Sequence, residues 1–159
     1  MKEILKILEN DARTTPEQIA TMLGKPVAEV KIAIKQAEGD RTIVKYKTMV
    51  NWDKIGEGEV WALIEVKIQP QREVGFDTVA ERIYRFPEAR SVYLISGDYD
   101  ISVLVTGKTM QEVAGFVSQK LATLESVQGT ATHFLLKRYK EDGEILEGEE
   151  KPKRQPLTL

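Results

Sequence analysis

From Val60 to Ile68 every second residue is apolar: Val60, Ala62, Ile64, Val66 and Ile68. A run of period two is a β-strand with one buried face. It opens a stretch in which the apolar period switches repeatedly. Pro70 is read as the end of this strand. Phe76, Val79, Ala80 and Ile83 then recur at helical spacing and stop before Pro87. Val92-Tyr93-Leu94-Ile95 reads as a second strand, Gly97-Asp98 as a turn, and Ile101, Val103 and Val105 as a third strand. Thr109-Met110-Gln111-Glu112 has the form of a capping box. It precedes Val113, Phe116, Val117, Leu121 and Leu124 on one helical face. A fourth strand is expected from about Val127 to Lys137. The order is β-α-β, turn, β-α-β, with strand starts near 60 and 99 and near 90 and 128. This predicts a ferredoxin-like βαββαβ unit and an α+β fold.

The first fifty residues follow a different pattern. Ile4, Leu5, Ile7 and Leu8 form a helical stripe, and Asn10-Asp11-Ala12-Arg13 interrupts it. Thr15-Pro16-Glu17-Gln18 is a helix start: Thr15 caps, Pro16 suits the first helical position and Gln18 can reach back. Ile19, Ala20 and Leu23 supply the buried side, and Gly24-Lys25-Pro26 makes a tight turn. Val30, Ile34 and Ala37 continue a third helix that stops near Gly39. Two helices joined by a short glycine-bearing turn are the sequence form of a helix-turn-helix. The β-branched run Thr42 to Val50 suggests a strand or hairpin, the wing of a winged variant. The expected division is a winged helix-turn-helix over 1–50, a linker over 51–59, a ferredoxin-like domain over 60–139 and a flexible charged tail over 140–159.

Composition narrows the chemistry. With no cysteine, disulfides, thiolate metal sites and thiol nucleophiles are excluded. The single histidine, His133, rules out a multi-histidine metal site. No cofactor, no metal and no catalytic residue is expected, because neither a phosphate-binding glycine loop nor a metal-spaced cluster occurs. The longest uncharged run, Ser126 to Leu136, is far short of the ~20 residues that span a bilayer. Lys2, Glu3, Lys6 and Glu9 break any apolar leader, so a cytoplasmic location is expected. The net charge of −2 does not advertise a nucleic-acid partner, but residues 24–47 hold six basic residues against three acids.

Several segments together resemble the leucine-responsive/asparagine-regulator (Lrp/AsnC, feast/famine) transcription regulators. They are Asn10-Asp11-Ala12-Arg13, Thr15 to Ala20, Val50-Asn51-Trp52-Asp53-Lys54, Ala80-Glu81 with Phe86-Pro87-Glu88, Ser96 to Asp100, and Thr130 to Lys140. The resemblance runs from about residue 2 to 143. It implies a winged helix-turn-helix that binds double-stranded DNA and a ferredoxin-like RAM domain that forms homodimers. It also implies further assembly into octamers or similar rings, and an amino-acid effector bound between ligand-binding domains. The chain departs from the family pattern around its third helix. Pro26 stands where a hydroxyl cap is usual, Ala33 where a basic residue is common, Ala37 where leucine is common, and Arg41 where a glycine is expected.

On this reading the third helix enters the major groove. The candidate DNA contacts are Lys25, Ala28, Lys31, Lys35 and Gln36, with Lys45 and Lys47 on the wing. The plain alternative is an ordinary solvated helix face. The candidate effector contacts are Ser96, Gly97, Asp98, Tyr99 and Asp100, with Thr130 and Thr132. Asp98 and Asp100 are candidates for an ammonium, and Gly97 permits close backbone approach. The plain alternative is a hairpin turn and two strand-forming threonines. His133 is expected to be structural, and Trp52 and Trp61 to be packing anchors between domains. Two other classes stay open: an effector-binding oligomer with weak or lost DNA binding, and a small ferredoxin-like enzyme.

Overall fold

In the computed structural model, residues 1–69 and 75–147 are described. The expected strand end at Pro70 and the tail beyond Glu147 lie outside them. The chain divides into two compact units, Met1–Val50 and Asn51–Leu159.

In the first unit, α1 spans Lys2–Asn10, α2 Pro16–Leu23 and α3 Val27–Gly39. Ile4, Leu8, Ile19, Ala20 and Val30 form its buried core, with Ile7, Leu23, Val27, Ala33, Ile34 and Ile43 packed around them. The start of α2 is closed by a full capping box. Thr15 Oγ1 accepts the Gln18 N–H at 3.3 Å, and Gln18 Oε1 accepts the Thr15 N–H at 2.8 Å. Gly24 ends α2 in the left-handed region, at φ 63°, and the chain turns there into α3. Pro26 precedes α3 without a side-chain cap, since proline has no hydroxyl to offer. Arg41, where the family pattern has a glycine, adopts φ 61°.

The expected wing is corrected: residues 44–50 form no strand. β-branched composition favours an extended chain, but a strand also needs a neighbour for its backbone groups, and propensity does not supply one. The Ile43 N–H donates to the Ala37 carbonyl at 2.8 Å, and the Tyr46 hydroxyl donates to Glu38 at 2.9 Å.

The second unit is built on a four-stranded antiparallel sheet. Its strands are β1 Val60–Ile68, β2 Ala89–Leu94, β3 Ile101–Gly107 and β4 Val127–Phe134, in the order β2-β3-β1-β4. This is the split β-α-β arrangement. The helix between β1 and β2 is α4, Phe76–Tyr84; that between β3 and β4 is α5, Met110–Phe116, continued by a wide turn over Val117–Leu121. Ala62, Ile64 and Val66 pair with Val105, Val103 and Ile101. All six are buried against Val79 and Ile83 of α4 and Val113 and Phe116 of α5. Both helices therefore lie on one face of the sheet. The opposite face carries Trp61, Leu63, Glu65 and Lys67 of β1, Leu104 of β3, Tyr93 of β2, and Ala131 and His133 of β4.

Three further expectations change in detail. Thr109 caps α5 by accepting the Glu112 N–H, but Glu112 Oε2 accepts the Lys108 N–H rather than that of Thr109. The box is thus shifted by one residue. Residues 51–59, expected as a linker, belong to the second unit. A 3₁₀ turn over Trp52–Ile55 lies there, and Asn51 Nδ2 donates to the Leu146 carbonyl at 3.0 Å. The start of the expected flexible tail is instead a small hairpin, β5 Lys140–Glu141 and β6 Glu144–Ile145. It turns through Asp142 at φ 46° and Gly143 at φ 88°. Asp-Gly with both φ positive is the tight turn that matches strand twist.

Arg138 joins these pieces. Its guanidinium lies 4.4 Å from the Trp61 ring centre and bonds Glu141 at 2.9 Å and Asp53 at 3.3 Å. Trp61 therefore anchors Arg138 within the second unit, and Trp52 belongs to that same unit. β4 stops at Phe134, three residues earlier than expected.

Candidate functional site

The outward side of α3 is set by the side it buries. Val30 and Ala37 are fully buried and Ile34 is half-buried. At about 100° per residue, Ala28, Ile32 and Lys35 then lie nearest the opposite pole, with Gln36 beside them. All four are exposed. Lys31 lies on the flank, where its Nζ pairs with Glu17 of α2 at 2.7 Å. That contact holds the Glu17 carboxyl below its ordinary range, through the hydrogen bond from Lys31. Lys25 pairs with Glu29 one turn away, which raises the Lys25 ammonium above its usual value. Among the described residues, Lys35, Lys45 and Lys47 make no salt bridge. The seven candidates thus split into two paired lysines, three unpaired lysines, and Ala28 with Gln36 on the helix face.

The second candidate site is the turn between β2 and β3. Gly97 sits at φ 135°, outside the range that side chains favour. Ser96, Gly97 and Asp98 are exposed, and Tyr99 is half-buried. Asp100 faces the sheet. Its Oδ2 accepts the Ile68 N–H at 2.8 Å and lies 3.5 Å from Lys67 Nζ. Its N–H donates to the Val66 carbonyl, and its own carbonyl accepts from the Ile95 N–H. Asp100 is therefore committed to closing the turn onto β1, and Asp98 is the carboxylate left outward.

Thr130 and Thr132 pair with Val66 and Ile64, so they share the helix-covered side of the sheet with those residues. They reach β1 from its far edge, while the Ser96–Asp100 turn reaches β1 from the β3 side. Two strand spacings, about 10 Å, separate the pair from the turn. Within one chain β1 stands between the two groups. His133 stands on the open face, with Nε2 3.0 Å from Glu65 Oε2 in a cross-strand diagonal pair.

Residues 61–145 match the family model of the Lrp/AsnC ligand binding domain. Over 153 residues the chain is 52% identical to YugG of Bacillus subtilis, an uncharacterised HTH-type transcriptional regulator, covering 96% of this chain and 92% of that protein. This chain belongs to the Lrp/AsnC family. It is a transcriptional regulator of that type. The leucine response regulatory protein of Mycobacterium tuberculosis superposes with a TM-score of 0.76 at 19% identity, over 92% of this chain and 97% of that one. A feast or famine regulatory protein from the same organism, solved in complex with L-methionine, superposes at 0.74 with 19% identity, over 92% and 96%. These likenesses confirm the Lrp/AsnC-type fold of mixed α and β elements.

Other features of this Lrp/AsnC chain carry little local sequence signal. Ile32, on the outward side of α3, is 68% exposed. It could have been found by placing every residue of the helix on the wheel, not only the charged ones. Arg138 over Trp61 and the Asp100 bond to Ile68 join residues far apart in sequence, and no local pattern marks either. Asp142-Gly143 carries a hairpin signal within an acidic run.

Proposed function

We propose that this Lrp/AsnC regulator binds double-stranded DNA through α2 and α3, used as a helix-turn-helix. The observation that carries this reading is the exposed outer side of α3, with Lys35 and Gln36 upon it, supported from beneath by the α1–α2 core. The lysines neutralise phosphates, and the helix face reads base edges. Lys45 and Lys47, on the extended segment after α3, add backbone contacts in place of a paired wing. A gel-shift titration against the upstream region of its own gene, at two salt concentrations, tests this. The expected result is a specific shift that weakens with salt and weakens again in Lys35→Ala. No specific shift would sink the reading and leave an effector-binding oligomer.

The ferredoxin-like second unit serves assembly and effector binding. The open sheet face, with Trp61, Leu63, Tyr93, Leu104 and Ala131, offers apolar surface for a second copy. Homodimers, and octamers or similar rings built from them, raise DNA affinity by holding several weak contacts at high effective concentration. The effector is an amino acid, held by Asp98 through its ammonium and by the backbone around Gly97. Thr130 and Thr132, across β1 from that turn and on the edge strand β4, serve the same site through a second copy meeting that edge. Methionine, bound by the structurally similar mycobacterial protein, is the first ligand to try. A thermal-shift screen of the twenty amino acids checks this: the effector raises the melting temperature, and Asp98→Asn abolishes the rise.

A further inference from the structure

We propose that Ile32 is a specificity-determining residue that reads the C5-methyl group of thymine in the major groove. The inference rests on the DNA-binding reading above and adds to it the base chemistry recognised. Ile32 lies about 20° from the pole of α3 opposite Val30, and it is 68% exposed. Its neighbours one turn away are Ala28 and Gln36, both exposed, and Lys35 lies three residues on. Ala28 is too short to shield it, so the Ile32 side chain stands out from the helix surface. A β-branched side chain has essentially one χ1 rotamer in a helix, so little freedom is lost when it docks.

The surroundings fit one kind of base. In the major groove thymine presents a methyl group beside the O4 acceptor, whereas cytosine presents a donor and no methyl. An apolar knob flanked by the amide of Gln36 and the ammonium of Lys35 matches methyl plus acceptor. Cytosine offers no methyl for that contact, and its amino group can be met here only by the amide oxygen of Gln36. Lys31, turned aside to Glu17, leaves this part of the helix apolar at its centre. The lysines then set affinity, and Ile32 sets the preference for a thymine-bearing step.

The test uses the full chain and a site selected from random duplexes. Each thymine of that site is replaced singly by deoxyuridine, which removes only the methyl, and binding is followed by fluorescence anisotropy at fixed salt. The wild-type chain should lose roughly threefold to fivefold at one or two positions, as expected for one methyl removed from an apolar contact. Ile32→Ala should lose that sensitivity while keeping the same salt dependence. Since residue 32 is exposed and alanine favours helix, the variant keeps its fold, checked by circular dichroism. A selected site that binds tightly but is indifferent to every deoxyuridine overturns the proposal. So does an Ile32→Ala profile identical to wild type. If selection yields no preferred sequence, the DNA-binding reading itself has failed, and the proposal fails with it.

Discussion

The division of the lysines into paired and unpaired sets can be read directly as a salt slope. For duplex DNA, log K falls against log salt with a slope of roughly −0.9 for each phosphate neutralised. Lys35, Lys45 and Lys47 have no acid partner among the described residues. Lys31 carries Glu17 with it, and Lys25 carries Glu29, so each pair presents almost no net charge to a phosphate. Two copies on one site then neutralise about six phosphates, for a slope near −5.4. Raising salt from 50 to 200 mM would weaken binding by roughly 2,000-fold. All five lysines acting in each copy would give a slope near −9 and a loss of over 10⁵-fold. Lys35→Ala should shift the slope to about −3.6, whereas Lys31→Ala should move it by less than about 0.5. Glu17→Gln releases Lys31 and should steepen the slope to about −7. Fluorescence anisotropy on a short duplex carrying the preferred site, over five salt concentrations, measures all four. Equal changes from Lys31→Ala and Lys35→Ala would refute the reasoning, because the Glu17 contact would then have no bearing on DNA binding.

Arg41 adopts a left-handed backbone that costs a side-chain-bearing residue about 1 kcal/mol. Arg41→Gly should therefore raise stability, by roughly 0.5 kcal/mol after the extra freedom of unfolded glycine is counted, read as a higher urea midpoint by circular dichroism. Glu17 has its carboxyl pKa lowered by Lys31, so its stabilising contribution is present above the usual glutamate value of 4.5 and is lost as pH falls through the depressed value. Thermal melts between pH 6 and about 3 should show this component in wild type and not in Glu17→Gln. Asp98→Asn should abolish an effector's thermal shift while leaving the ligand-free melting temperature unchanged. Asp100→Asn should lower the ligand-free melting temperature, since a neutral amide is a weaker acceptor for the Ile68 N–H and loses the Lys67 attraction.

The mycobacterial neighbour solved with L-methionine shares this fold at 19% identity, so its ligand is a guide to chemistry and not to individual contacts. In the proposed function, assembly is what couples effector binding to DNA binding. A ligand shared between copies alters DNA affinity only through a difference in its affinity for two assemblies. A full reversal of such an equilibrium, from 1:99 to 99:1, takes roughly 5.5 kcal/mol. Partial shifts, graded with effector concentration, are therefore the expected response.

What the sequence determined by itself lies within one helical turn or one strand. The alternation of Val60 to Ile68, the helical stripes of α4 and α5, the Thr15–Gln18 box and the Gly24 turn were all legible, because each depends on backbone period or on a bond between near neighbours. The candidate sites were legible as residue types and not as arrangements. Only the tertiary structure decided that Asp100 turns inward to Ile68 and that β1 separates the 96–100 turn from Thr130 and Thr132. It also decided that Lys31 is drawn to Glu17. Periodicity fixes which way a side chain faces along its own element. Which distant group it meets depends on strand order and helix packing, which local residue spacing does not encode.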